Sequence, residues 1–152
     1  MQAIKHTYLG LIALFIIMPV IAFSAASTNC GVGLEGYDPV AYFTDNKPVK
    51  GNGDHVVEHD GLNYLFISDE HKKAFQASPD KYLPQYGGWC AFGVSVGRKF
   101  VSDPTAWKIV DGKLYVNLNQ KVNDIWQKNL SANIEKADKN WTKIQDKDPG
   151  KL

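Results

Sequence analysis

Of the 152 residues, 44% are hydrophobic, 12% aromatic and 22% charged, which is the make-up of one folded domain and too apolar for disorder. Lys plus Arg number 17 against 16 for Asp plus Glu, a net charge of +1, so no long-range field exists to hold a nucleic-acid backbone or an anionic membrane. Beyond residue 26 no apolar run is long enough to cross a bilayer, which excludes a multi-span membrane protein.

The N-terminus reads as an export signal. Lys5 and His6 precede the apolar run Leu11–Phe23, and the small residues Ser24, Ala25 and Ala26 follow, the order of charged, apolar and cleavage regions. The run contains Pro19 and falls short of the roughly 20 apolar residues of a spanning helix. Residues 1–26 are therefore expected to be a signal peptide cleaved after Ala26, delivering a neutral domain to the periplasm or outside the cell. Retention as an N-terminal anchor is the lesser alternative. Asn29 before Cys30 lacks the small side chain that lipidation needs.

Residues 27–36 read as a linker, and Gly36-Tyr37-Asp38-Pro39 as a turn leading into the apolar Val40, Ala41, Tyr42 and Phe43. His55–His59 and Leu62–Phe66 flank Asp60-Gly61, the signature of a β-hairpin. Ser68 stands as the N-cap of a short helix that carries His71, Ala74 and Phe75 and ends before Pro79. The segment PQYGGWCAFGVSVG reads as a packed connector, since its adjacent Gly87 and Gly88 let backbone approach closely. Trp107–Val110, Asp111-Gly112 and Lys113–Leu118 predict a second hairpin, with the Trp107 ring buried beneath it. Asn119 then caps a helix with Val122, Ile125 and Trp126 on its apolar side, and a second helix after Ser131 carries Ile134, Ala137 and Trp141. Residues 37–144 are thus expected to form a small α+β domain. In it the two hairpins make a short antiparallel sheet packed with short helices, and the C-terminal third is helical. Residues 145–152 read as a frayed polar tail.

The segments GYDPVAYF, YLFISDEHKKAF, PDKYLPQYGGWCAFGV and DPTAWKIVDGKLYVN, in that order, make the chain similar to the YHS domain family from Gly36 to Trp141, specifically to its stand-alone exported members. The resemblance implies a small α+β fold. It also implies kinship with metal-handling modules that carry cysteines about where Ile67 and Lys72 stand in this chain, and it makes His71 the His for which the family is named.

Four residues are candidate metal ligands: His71, Cys90, His59 and Asp38. A thiolate with imidazoles suits copper, and zinc less well. His71 serves equally as a structural histidine that fixes its helix on the sheet. Asp38 before Pro39 serves equally as a turn residue whose carboxylate accepts backbone N–H groups. His55 and His59 lie on one face of a strand, about 13 Å apart at ~3.3 Å per residue, too far to chelate jointly. Cys30 and Cys90 are alternatively a disulfide closing a loop of about 60 residues, a constraint of roughly 4 kcal/mol in the chain-entropy model. Tyr37, Tyr42, Tyr86 and Trp89 are candidates to line a pocket. A Cys90–His71–Asp38 or Cys90–His71–Asp69 nucleophile is the less favoured reading, because no spacing brings these groups together. The expectation is an exported monomer that is not an enzyme and whose partner is a metal ion, copper first, or a small ligand. The alternative is a non-metal ligand- or protein-interaction domain with a Cys30–Cys90 bridge and structural histidines.

Overall fold

The computed structural model describes residues 31–152, so the expected signal peptide and residues 27–30 of the linker, Cys30 among them, lie outside the described residues. Among the described residues no helix is long and apolar enough to cross a membrane.

The chain builds a small α+β domain in two halves. In the first, Gly31–Val32 (β1) pairs parallel with Leu62–Phe66 (β3), which pairs antiparallel with Asn52–His59 (β2), in the order β1-β3-β2. Asp60 and Gly61 join β2 to β3 with φ of 50° and 75°, the left-handed pair that a two-residue hairpin turn requires. The helix Ala41–Thr44 (α1) precedes the hairpin, and Asp69–Ala77 (α2) and Pro79–Tyr82 (α3) follow it. Ser68 caps α2 as expected, its Oγ accepting from the His71 N–H. Val40, Tyr64, Phe66, Phe75 and Tyr82 form the core of this half.

The second half begins in the glycine-rich segment, which is more than a connector: Ala91–Ser95 forms a helix (α4). Asp103–Val110 (β4) and Lys113–Asn117 (β5) make the second hairpin about Asp111 and Gly112, again both left-handed at 50° and 72°. Gln120–Lys128 (α5) and Leu130–Ile144 (α6) complete it. The core here is Tyr86, Ala91, Val94, Tyr115, Trp126, Ala137 and Ile144.

Four expectations change. The two hairpins lie in separate sheets, because the helical segment from α2 to α4 stands between them, and Pro84 bridges to Leu114 beside β5. Asn123, not Ile125, faces inward on α5, and Ile125 is 41% exposed. The reason is polar: Asn123 accepts from Asn117 at 3.0 Å and donates to the Trp107 carbonyl at 3.2 Å. Trp107 is only half-buried, its ring set edge-on against Tyr42 with centroids 5.2 Å apart, while the fully buried tryptophan is Trp126. The C-terminal tail is tied down, because Lys99 Nζ donates to the carbonyls of Gln145 (2.5 Å) and Lys147 (2.8 Å) beyond α6, and Leu152 packs on the second core. The same ammonium lies over the rings of Trp89 and Trp141, where their negative faces offset its burial.

Tyr42 links the halves. It is fully buried, and its hydroxyl donates to the Pro104 carbonyl at 2.9 Å, in β4. Burial, with neighbouring acidic groups, holds this phenol far above the ordinary tyrosine range, and burial and a hydrogen bond to Asp138 do the same for Tyr86. Both groups bind their protons more tightly folded than unfolded. Stability should therefore be full below about pH 10, where an unfolded tyrosine ionises, and should fall as pH rises beyond it. Urea midpoints at pH 9 and pH 11 check this, and an unchanged midpoint would mean that these phenols sit in water.

Trp126→Ala should cost on the order of 3 to 5 kcal/mol, the range for emptying a buried tryptophan site. Trp126→Phe should cost less than that volume change suggests, since the buried Trp126 Nε1–H has no partner and its removal relieves an unmet donor. Denaturant unfolding of the two variants measures both effects, and equal losses would contradict the account.

Candidate functional site

Asp38 and His71 come together at the junction of α1, β3 and α2. Pro39 fixes the chain direction after Asp38, whose Oδ1 accepts from the N–H groups of Val40 (2.8 Å) and Ala41 (3.3 Å) at the start of α1. Its Oδ2 accepts from the Ile67 N–H at 2.9 Å, just past β3, and from His71 Nδ1 at 2.7 Å. The carboxylate is fully buried and every one of its contacts is a donor, the condition under which a buried charge is tolerated. The carboxylate also selects the imidazole tautomer, with the proton on Nδ1 and the lone pair on Nε2.

That lone pair faces the end of α1. Thr44 Oγ1 lies 3.2 Å from His71 Nε2, and an Asp45 carboxylate oxygen lies at 4.0 Å. A hydroxyl, an imidazole and a buried carboxylate in line have the outline of a nucleophilic triad. However, Thr44 donates to Asp45 at the shorter distance of 2.8 Å, so its proton is directed away from the imidazole. The link between the two helices is the Asp38 carboxylate, which joins the start of α1 to the His71 ring in the first turn of α2.

The other candidates lie elsewhere. Cys90 is buried and free, and caps α4: its Sγ accepts from the Gly93 N–H at 3.4 Å and its thiol donates to Asn117 Oδ1 at 3.6 Å. Asn117 also accepts from the Phe92 N–H at 3.0 Å, so the thiol belongs to a polar chain running from α4 through Asn117 and Asn123 to Trp107. His59, at the end of β2, is set edge-on against Phe75 and lies 3.5 Å from Asp60. Among the described residues no three His, Cys, Asp or Glu side chains are placed to share an ion. The set of His71, Cys90, His59 and Asp38 thus does not assemble, and only Asp38 and His71 meet. The aromatic candidates are divided likewise. Tyr37 lies beneath Lys50 Nζ, Tyr42 joins the halves, Tyr86 is in the second core, and Trp89 lines a cleft without the three tyrosines.

Sequence reasoning missed an open cleft of about 390 Å³ between Asn46, β4 and α5. Thr105, Trp107, Gln120, Asn123 and Gln127 line it with Asn46. A volume in this range is that of a small-molecule site. The available signal was the run of carboxamides on α5, where Gln120, Asn123 and Gln127 recur at helical spacing.

Comparison of the chain with models of protein families, with known proteins and with solved structures finds no match.

Asp38→Ala should be far more damaging than His71→Ala, because it strands the Val40, Ala41 and Ile67 N–H groups as well as the imidazole. A loss of roughly 3 to 5 kcal/mol is expected for Asp38→Ala, as for breaking one side of a buried pair. Chemical denaturation checks the order, and equal losses would mean that the carboxylate serves only the histidine.

Proposed function

We propose that the chain is an exported, non-catalytic YHS-type domain that binds a small uncharged ligand in the cleft between Asn46, β4 and α5. One contrast carries the reading. The groups with most chemical reactivity, the His71 imidazole and the Cys90 thiol, are hydrogen-bonded within the fold, whereas the cleft presents carboxamides and an indole around an opening. A ligand site needs a few placed polar groups to orient what it binds and no reacting atom. Export rests on the pattern of residues 1–26, and N-terminal sequencing of protein recovered from the periplasm should find Ser27 first.

A second reading keeps copper, with zinc behind it. It is favoured by the outward lone pair of His71 Nε2, because a histidine whose other nitrogen is held by a carboxylate is the usual form of a metal-bound imidazole. Titration of the protein with Cu(II) and Zn(II) separates the two readings. The first predicts no stoichiometric binding tighter than about 10 μM, roughly 7 kcal/mol, and an unchanged cleft. The second predicts one equivalent of copper, lost in His71→Ala.

A further inference from the structure

The cleft is polar in an unusual way. Besides Ile109, its lining residues include four that carry carboxamides, Asn46, Gln120, Asn123 and Gln127, together with Thr105 and Trp107. No carboxylate is among the lining residues, and the one charge is that of Lys108, an exposed residue. A site for an anion would converge cations or backbone N–H groups, and a site for a cation would converge carboxylates. Neither is present in the lining.

A carboxamide donates and accepts at once, through NH₂ and C=O on one rigid plane. Its natural complement is a group that also does both, and two adjacent alcohol hydroxyls match it in width and in donor–acceptor order. The indole of Trp107 adds a flat apolar surface, suited to the C–H face of a saturated ring. Together these groups select a polyhydroxylated ring with one apolar face, which is the chemistry of a pyranose.

The lining is also held in place. Asn123 is 2% exposed and fixed by Asn117 and by the Trp107 carbonyl. Gln120 donates to Asp124 at 2.8 Å, which orients its amide and leaves its carbonyl oxygen as an acceptor. Trp107 is backed by Tyr42, itself fully buried. Asn46 has φ of 53°, a left-handed conformation that few residues other than glycine and asparagine adopt readily. It directly follows Asp45, the residue that caps the end of α1. Such preorganisation lowers the entropy lost on binding.

We infer that this cleft is a saccharide site for a neutral sugar, one pyranose ring stacked on Trp107 with its hydroxyls held by Asn46, Gln120 and Gln127. The inference rests on the ligand-binding reading above and names its ligand class.

The test is NMR titration of the ¹⁵N-labelled full domain with a panel of neutral mono-, di- and oligosaccharides. Inorganic phosphate and a set of uncharged non-sugar fragments serve as comparison probes. A panel member should shift the Trp107 indole N–H and the side-chain amides of Asn46, Gln120 and Gln127, with saturation below ~10 mM, an affinity of a few kcal/mol. Gln127→Ala and Gln120→Ala, both on the surface of α5, should each weaken binding about five- to tenfold, the worth of one neutral hydrogen bond. Ser131→Ala, in a separate cleft beside Val110 and Leu130, should leave affinity unchanged. If the uncharged fragments shift these resonances and no sugar does, the saccharide assignment is overturned and the ligand-binding reading stands, whereas a response to phosphate alone overturns both. If no probe of any class shifts them, both fall.

Discussion

The fold depends on one buried carboxylate. Asp38 accepts from the N–H groups of Val40, Ala41 and Ile67 and from His71 Nδ1, and so ties together the start of α1, the end of β3 and the first turn of α2. None of these elements could stand alone. The helix α1 is a single turn, below the length at which a helix is stable in water, and a lone hairpin is marginal. Their relative placement is set by a charge that burial tolerates because these donors converge on it. Tyr42, the second residue of α1, then carries that placement across to β4 through its bond to the Pro104 carbonyl.

Buried polar side chains perform the same task in the second half. Asn117 joins Cys90 and Phe92 to Asn123. Asn133 donates to the Trp126 carbonyl near the end of α5, and Asn140 donates to the Val94 and Ser95 carbonyls at the end of α4. Helix ends leave carbonyls without partners, and here asparagines of α6 supply them. Lys99 does this for the segment beyond α6. The short helices of this domain hold their positions through such bonds as much as through the two apolar cores, because each offers little apolar surface to bury.

Local chemistry was legible in the sequence and long-range chemistry was not. Both Asp-Gly hairpins, the Ser68 and Asn119 caps and the helical C-terminal third follow from residues within a turn of one another, where dihedral preference and one hydrogen bond decide the outcome. The dual role of Asp38 as turn residue and as partner of His71 was half visible: the turn is local, whereas the imidazole arrives from beyond a hairpin. The inward face of α5 was misread because hydrophobic periodicity favours Ile125, while the buried position belongs to Asn123. An asparagine is drawn inward only by partners elsewhere, in this case Asn117 and the Trp107 carbonyl, and no local pattern encodes them. The Lys99 latch is hidden for the same reason, since an isolated lysine in a polar loop gives no sign that two indoles and two carbonyls await it.

The separation of reactive groups from the cleft has a physical basis. Imidazole, thiol and carboxylate can each bind a metal or move a proton when they face a shared space, yet in this domain each meets a partner with complementary donors and acceptors before it meets solvent. A histidine fixed on Nδ1 by a buried carboxylate, and a cysteine fixed as a helix cap, gain stability from a single geometry. Of the cleft's carboxamides, Asn123 is held by Asn117 and the Trp107 carbonyl and Gln120 by Asp124, yet they carry no charge, and an amide gains little from an intramolecular bond that it could equally make to water. The open polar surface is left to the weakest hydrogen-bonding groups, and the strongest ones are drawn into the frame that supports it.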